Sequence, residues 1–219
     1  MATFSTDADL LKWEPMLARD MALDHQCLQR GTGATSQGFL VTATGAHFMA
    51  SHVRPGHAIH LGSAGQAVDG FFEVLSVESE TQLMAGMIGA RGDESVPLPA
   101  GTGLDFAIHT FDPQHEEARG VLLARFGLDV DAADPAADLQ RWIAQCRCLR
   151  RASVAWVLTT IFRGQAADGP EAAGFARKAD QYARLFEDEV AKVRLPLDRD
   201  GDGRPDTVQG RGSLRLRRE

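Results

Sequence analysis

Between residues 31 and 111 the chain is written in short β-type runs, and on both sides of that block it is written in helical periods. That segregation constrains the fold more than any other feature. Strands gathered in one stretch pair with each other as antiparallel neighbours. The βαβ alternation of a parallel nucleotide-binding sheet is excluded. Within the block, Gly38 to Thr42 reads as a strand. Val53 to Leu61 reads as a turn at Pro55-Gly56 feeding a strand, with Ile59 and Leu61 on one face. Phe72 to Val77, Leu83 to Met87 and Asp105 to Phe111 alternate in the same way. Short strands at such spacing, broken by glycine, predict a small antiparallel barrel. Gly89 to Gly103, rich in glycine, proline and charge, reads as an exposed loop.

The flanks are helical. Thr6 suits an N-cap, with Asp9 three residues on as in a capping box, and Pro15 ends that helix and suits the start of a second, Met16 to Leu23. After the block, Asp112 caps, Pro113 takes the first turn, Ala118, Val121, Leu122 and Phe126 form a stripe, and Gly127 stops the helix. Asp129 to Asp138 is an acidic, alanine-rich link. Leu139 to Phe162 carries the strongest helical period, and a last helix spans about Pro170 to Val193, with Phe175, Tyr182, Phe186, Val190 and Val193 on one face. The expected class is α+β: a helical bundle of about four helices, an inserted small antiparallel β-barrel and an extended C-terminal arm. The expected divisions are a helical frame at 1–30 and 112–196, the barrel at 31–111, and an Asp-rich loop with a basic arm at 197–219.

Composition narrows the function classes. A net charge of −7 argues against broad non-specific binding of nucleic acid, which needs a basic face. The C-terminus is locally basic: Arg211, Arg215, Arg217 and Arg218 surround Leu214 and Leu216, an alternation suited to an arm that adds a strand to a partner. Three cysteines, Cys27, Cys146 and Cys148, do not make a disulfide framework. Cys146 and Cys148 would stand about 200° apart on a helix, the wrong placement for one metal. The N-terminus has no apolar secretory core, and no run of about 18 apolar residues could span a membrane. A cytoplasmic product that leaves only inside a particle is the expectation.

The sharpest chemical motif is Asp198 to Asp206. Asp198, Asp200 and Asp202 occupy positions 1, 3 and 5 of a calcium loop, Gly203 the turn position, the Arg204 carbonyl position 7 and Asp206 position 9. Alternating hard oxygens converge when such a loop curls around a cation. Gln209 stands where a closing bidentate Glu belongs, so either a structural Ca²⁺ site or an acidic surface turn fits. His47, His52, His57 and His60 lie in the barrel segment without metal-ligand spacing and read as surface or packing residues. The chain has no GxSxG, Walker loop, HExxH or strand-borne GxGxxG. Glu78, Glu80, Glu116 and Glu117 read as solvated, and no catalytic residue is assigned.

Several segments resemble one family. Phe4 to Pro15 is similar to the opening of phage neck proteins. Phe48 to Gly56 followed by Phe72 to Val77 resembles their β insert, Thr110 to Gln114 their return to helix, and Lys178 to Tyr182 with Leu197 to Gly203 their closing helix and aspartate loop. The resemblance is to the head-to-tail adaptor, or head-completion, family of tailed bacteriophages. It implies a structural virion protein of the neck, assembled in the host cytoplasm, with no membrane association. The implied partners are a portal protein, a tail, stopper or terminator protein, and copies of the chain itself in a ring, usually a dodecamer. Viral DNA passes through the channel without sequence-specific binding. The barrel is larger than in the minimal all-helical adaptors, and the aspartate loop is not a general adaptor feature. Two other classes stay open on the residues: a calcium-binding interaction module of a non-viral assembly, and an enzyme.

Overall fold

A computed structural model describes residues 3–20, 24–62, 68–89, 95–128, 147–167, 171–197 and 207–210. The chain divides into two compact units: Thr6–Asp112, and Met1–Ser5 with Pro113–Glu219. The mixed α+β class and the closed antiparallel barrel are as expected; the Asp-rich loop at 198–206 and the arm at 211–219 fall outside the described residues.

In the first unit, helix α1 (Asp7–Trp13) opens with the expected capping box. The Asp9 amide donates to Thr6 Oγ1 and the Thr6 amide to the Asp9 carboxylate. These satisfy backbone N–H groups that the first helical turn leaves without partners. A four-residue helix α2 (Leu17–Asp20) follows Pro15. The strands are β1 (Cys27–Gly38), β2 (Leu40–Thr42), β3 (Ala58–Gly62), β4 (Asp69–Val77), β5 (Gln82–Met87) and β6 (Leu98–His109), closed in the order β1-β2-β5-β4-β3-β6. Alternate residues fill the interior: Ala34, Val41, Phe48, Ile59, Leu61, Phe72, Val74, Leu83, Leu104, Phe106 and Ile108 form one buried cluster. Ile59 and Leu61 share the inner face, as their spacing predicts.

Two strands differ from the sequence reading, and both lie at the closure. β1 begins at Cys27, and its glycine- and threonine-rich stretch is a strand although it lacks an apolar run. β6 begins at Leu98, so residues 98–103 of the expected loop are paired with β1, Ser36 opposite Gly101 and Gly38 opposite Leu98. The Ser36 hydroxyl donates to the Pro99 carbonyl at 2.7 Å. Small residues suit this ladder because its interior is filled from across it. Gly31 stands opposite Phe106, and a Cβ at Gly31 would lie 2.7 Å from Phe106 Cε1. The ring occupies the space that a side chain would need, an aromatic covering a strand glycine. Register shifts along β1 bend it around the barrel.

Helix α3 spans Asp112–Arg125, and in the second unit α4 spans Arg150–Gln165 and α5 spans Ala172–Lys192. A single 3-10 turn, Arg147–Leu149, precedes α4; residues 139–146 of the long predicted helix lie outside the described set. Gly127 stops α3 as expected, with φ 68° and the Leu128 amide returning to the Leu123 carbonyl. Helix α4 is buried on nearly every side. Helix α5 is amphipathic, with Ala179, Tyr182, Phe186 and Val190 inward. Phe4, Leu122, Phe126, Ala152, Phe186, Val190 and Leu195 belong to one core. Phe162 stacks with Tyr182 and Phe175, and Trp156 lies 5.0 Å from Phe186 between ring centres. Strands β7 (Arg194–Leu197) and β8 (Thr207–Gly210) pair as a ribbon.

Gly31→Ala should cost roughly 1–3 kcal/mol of stability, because the buried Phe106 ring has to move. Urea unfolding of G31A, F106L and G31A/F106L tests it. The double variant should lose less than the sum of the two singles, whereas strict additivity would show that the two residues do not share that space.

Candidate functional site

Two buried histidines organise the polar interior, one in each unit. In the barrel unit, the turn Arg54-Pro55-Gly56 delivers His57 to the start of β3. Gly56 has φ 90°, a conformation L side chains avoid, and a Cβ there would meet Thr6 Cγ2 at 2.6 Å. Backbone bonds fix the turn on both sides: the Ala8 amide donates to the Gly56 carbonyl, the Gly56 amide to Val74 and the Val74 amide to His57. His57 is 2% exposed. Its Nδ1 accepts from the Arg54 amide at 3.3 Å, so Nε2 carries the proton and donates to Asp112 Oδ2 at 3.0 Å. The Arg54 guanidinium takes the other carboxylate oxygen at 2.6 Å. The Asp112 amide donates to Thr110 Oγ1, and nearby the Phe111 amide donates to Asp7 Oδ1.

Burial alone would raise the pKa of Asp112. Hydrogen bonds from His57 and Arg54, with the positive charge of Arg54, outweigh it and hold the carboxyl well below its ordinary value of 3.8. A histidine on a carboxylate is also the core of a general-base dyad. Here, however, both ring nitrogens are engaged, Nδ1 as an acceptor and Nε2 as a donor. As arranged, the cluster orients a turn and holds a charge; its imidazole offers no free ring nitrogen to a substrate.

In the helical unit, Ser5 Oγ lies 2.8 Å from His115 Nδ1 and 2.7 Å from Ser153 Oγ. A serine hydroxyl against an imidazole is the contact of an activated nucleophile. Ser5, His115 and Ser153 are all at most 1% exposed, so the hydroxyl meets only protein. What the bonds do is tie the Thr3–Ser5 segment to α3 and α4. Neither network is legible in the sequence, since their members are 55, 110 and 148 positions apart.

The remaining candidates do not converge. His60 pairs with Asp69 at 2.9 Å on a more exposed part of the barrel, and His47 and His52 are exposed. Glu80 accepts from the Met49 and Ala50 amides and so anchors the loop after Phe48. Glu78 bonds Ser76, and Glu116 pairs with Arg119. Cys27 and Cys148 are not joined in a disulfide; Cys146 is outside the described residues. Among the described residues no group of three or more His, Cys, Asp or Glu is placed to hold a metal, and no described helix is long and apolar enough to cross a membrane. The calcium-loop candidates Asp198, Asp200, Asp202, Arg204 and Asp206 lie outside the described residues, as do Arg211, Leu214, Arg215, Leu216, Arg217 and Arg218 of the arm. The strands flanking the aspartate segment are paired up to Leu197 opposite Thr207.

Asp112→Asn should lower stability at neutral pH by roughly 1.5–3 kcal/mol, since two charge-assisted bonds are lost. A carboxyl with a depressed folded pKa stabilises fully above its unfolded value, and that contribution fades as pH falls through the folded pKa. The difference between the parent and D112N, from urea titrations at several pH values, should therefore be full at pH 7 and shrink below pH 3.8. A difference independent of pH would show that the Asp112 charge does not stabilise the fold.

Comparison of the chain with protein-family models, with curated proteins and with solved structures finds no match.

Proposed function

We propose that this chain is a structural subunit of a tailed-bacteriophage neck, a head-to-tail adaptor present in several copies, usually twelve, in a ring on the portal. One structural observation supports it beside the sequence resemblance. Among the described residues of the first unit, Met16, Leu40, Met49, Met87 and Val96 are large apolar side chains that remain exposed. Leu40 and Met84 are direct cross-strand partners on β2 and β5, and both face outward, because Val41, Leu83 and Ala85 beside them fill the core. The Phe39 and Leu75 side chains and the Val96 carbonyl close around Gly86. Met87, opposite the core residue Phe72, stands at the end of β5 on the inner-face register and is bridged to Val96; the two are 48% and 47% exposed. A closed barrel has no free strand edge to offer, so contacts with another protein fall to exposed side chains such as these.

On this reading the portal and a tail, stopper or terminator protein are the neighbours, and DNA passes the ring without sequence-specific contact. An acidic subunit suits that passage, because like charge lets DNA slide. A cation in the Asp198–Asp206 loop would fix the arm that follows it.

The test is negative-stain imaging of assemblies recovered through a tag from the native lysate. Rings on a portal or neck are expected, and they should be lost in L40E/M87E while circular dichroism stays that of the parent. A lone monomer in every fraction would overturn the reading. Rings that persist unchanged with chelator would remove the ion from it.

A further inference from the structure

The outward face of α5 carries a ladder of charges that the described residues of the unit do not pair. Arg177, Asp180, Arg184 and Asp188 recur at three- and four-residue spacing, so they form one stripe along the helix. At 3.6 residues per turn the stripe is centred opposite the core face of Ala179, Tyr182, Phe186 and Val190. All four are exposed. Other charges of the same helix are engaged inside the unit: Glu187 with Arg125, Glu189 with Arg151 and Lys192, and Lys178 over the Phe162 ring. The four ladder residues make no ion pair or side-chain hydrogen bond among the described residues. With Gln181 and Leu185 they line an open hollow of about 450 Å³.

The order of signs selects an occupant. Two arginines alternate with two aspartates, so the stripe is neutral overall and gives a polyanion such as nucleic acid no net attraction. Read against itself in the opposite direction, about a twofold axis near residue 182, the ladder is its own complement. Arg177 of one copy falls opposite Asp188 of the other, and Asp180 opposite Arg184. The parallel in-register arrangement places like charges together and is disfavoured. The contact would run about 16 Å along the helix, at the separation of about 8–10 Å usual for packed helices.

We propose that the α5 face is a self-recognition surface on which a second copy of this chain docks antiparallel, making a twofold dimer of the free protein. An isologous contact closes at two copies and does not propagate a ring, so this inference stands apart from the adaptor reading and describes the subunit before assembly.

Sedimentation equilibrium of the full chain tests it at low salt and at roughly 0.5 M salt, where exposed charges are screened within a few ångströms. A concentration-dependent dimer is expected at low salt, weakened at high salt. R184D and D180R should each raise its dissociation constant by about tenfold or more, since every charge is used twice across the axis. The swap D180R/R184D restores complementarity in both copies and should regain the dimer. Circular dichroism confirms that each variant folds, and if R184D does not, D180R alone supplies the single-reversal reading. A monomer at every concentration, a dimer indifferent to single reversal, or one that the swap does not regain overturns the proposal. None of these outcomes bears on whether rings form on a portal.

Discussion

Pairing of β1 with β6 closes the barrel, and the rest of the first unit depends on that closure. Without it, two long strands would present open edges, the usual sites of unwanted pairing. The ladder is built from a strand with little apolar content. Its exposed residues are Arg, Thr, Gln and Gly, and its interior is supplied by Leu28, Ala34 and the Phe106 ring lying over Gly31. The shifts in register that bend β1 let a short chain turn through the angle that six strands need.

The two histidine networks show how the same residue types serve packing. His57 and Asp112 have the donor and acceptor of a catalytic dyad, but the Arg54 amide already uses the nitrogen that would accept a proton from a substrate. Ser5 and His115 have the contact of a nucleophile and its base, inside a core that Ser153 completes. In both, a buried polar group is matched by partners, which is the condition for burying it at small cost. The difference from a catalytic site is one of access and of lone pairs, not of composition.

The outer surfaces point the other way. In the barrel unit several apolar side chains are left exposed, and on α5 charges of alternating sign have no partner among the described residues, while neighbouring positions on the same elements are packed or paired. In protein contacts generally, apolar surface supplies contact area and charge pattern supplies register.

By itself the sequence determined the pattern of helices around a β block, the capping box at Thr6, the stop at Gly127, the turn at Pro55-Gly56 and the inward face of Ile59 and Leu61. Each of these depends on residues within a few positions, where backbone geometry and periodicity act directly. Only the tertiary structure decided that Cys27–Gly38 is a strand, that residues 98–103 are paired, and which histidines are buried. Those outcomes depend on what lies opposite: Phe106 for Gly31, Asp112 for His57, Ser153 for Ser5. A residue's partner across a ladder or a core is set by chain closure over tens of positions, and no local pattern encodes it. The aspartate loop is the converse case, legible as a motif from its spacing alone, because its ligands would all come from nine consecutive residues.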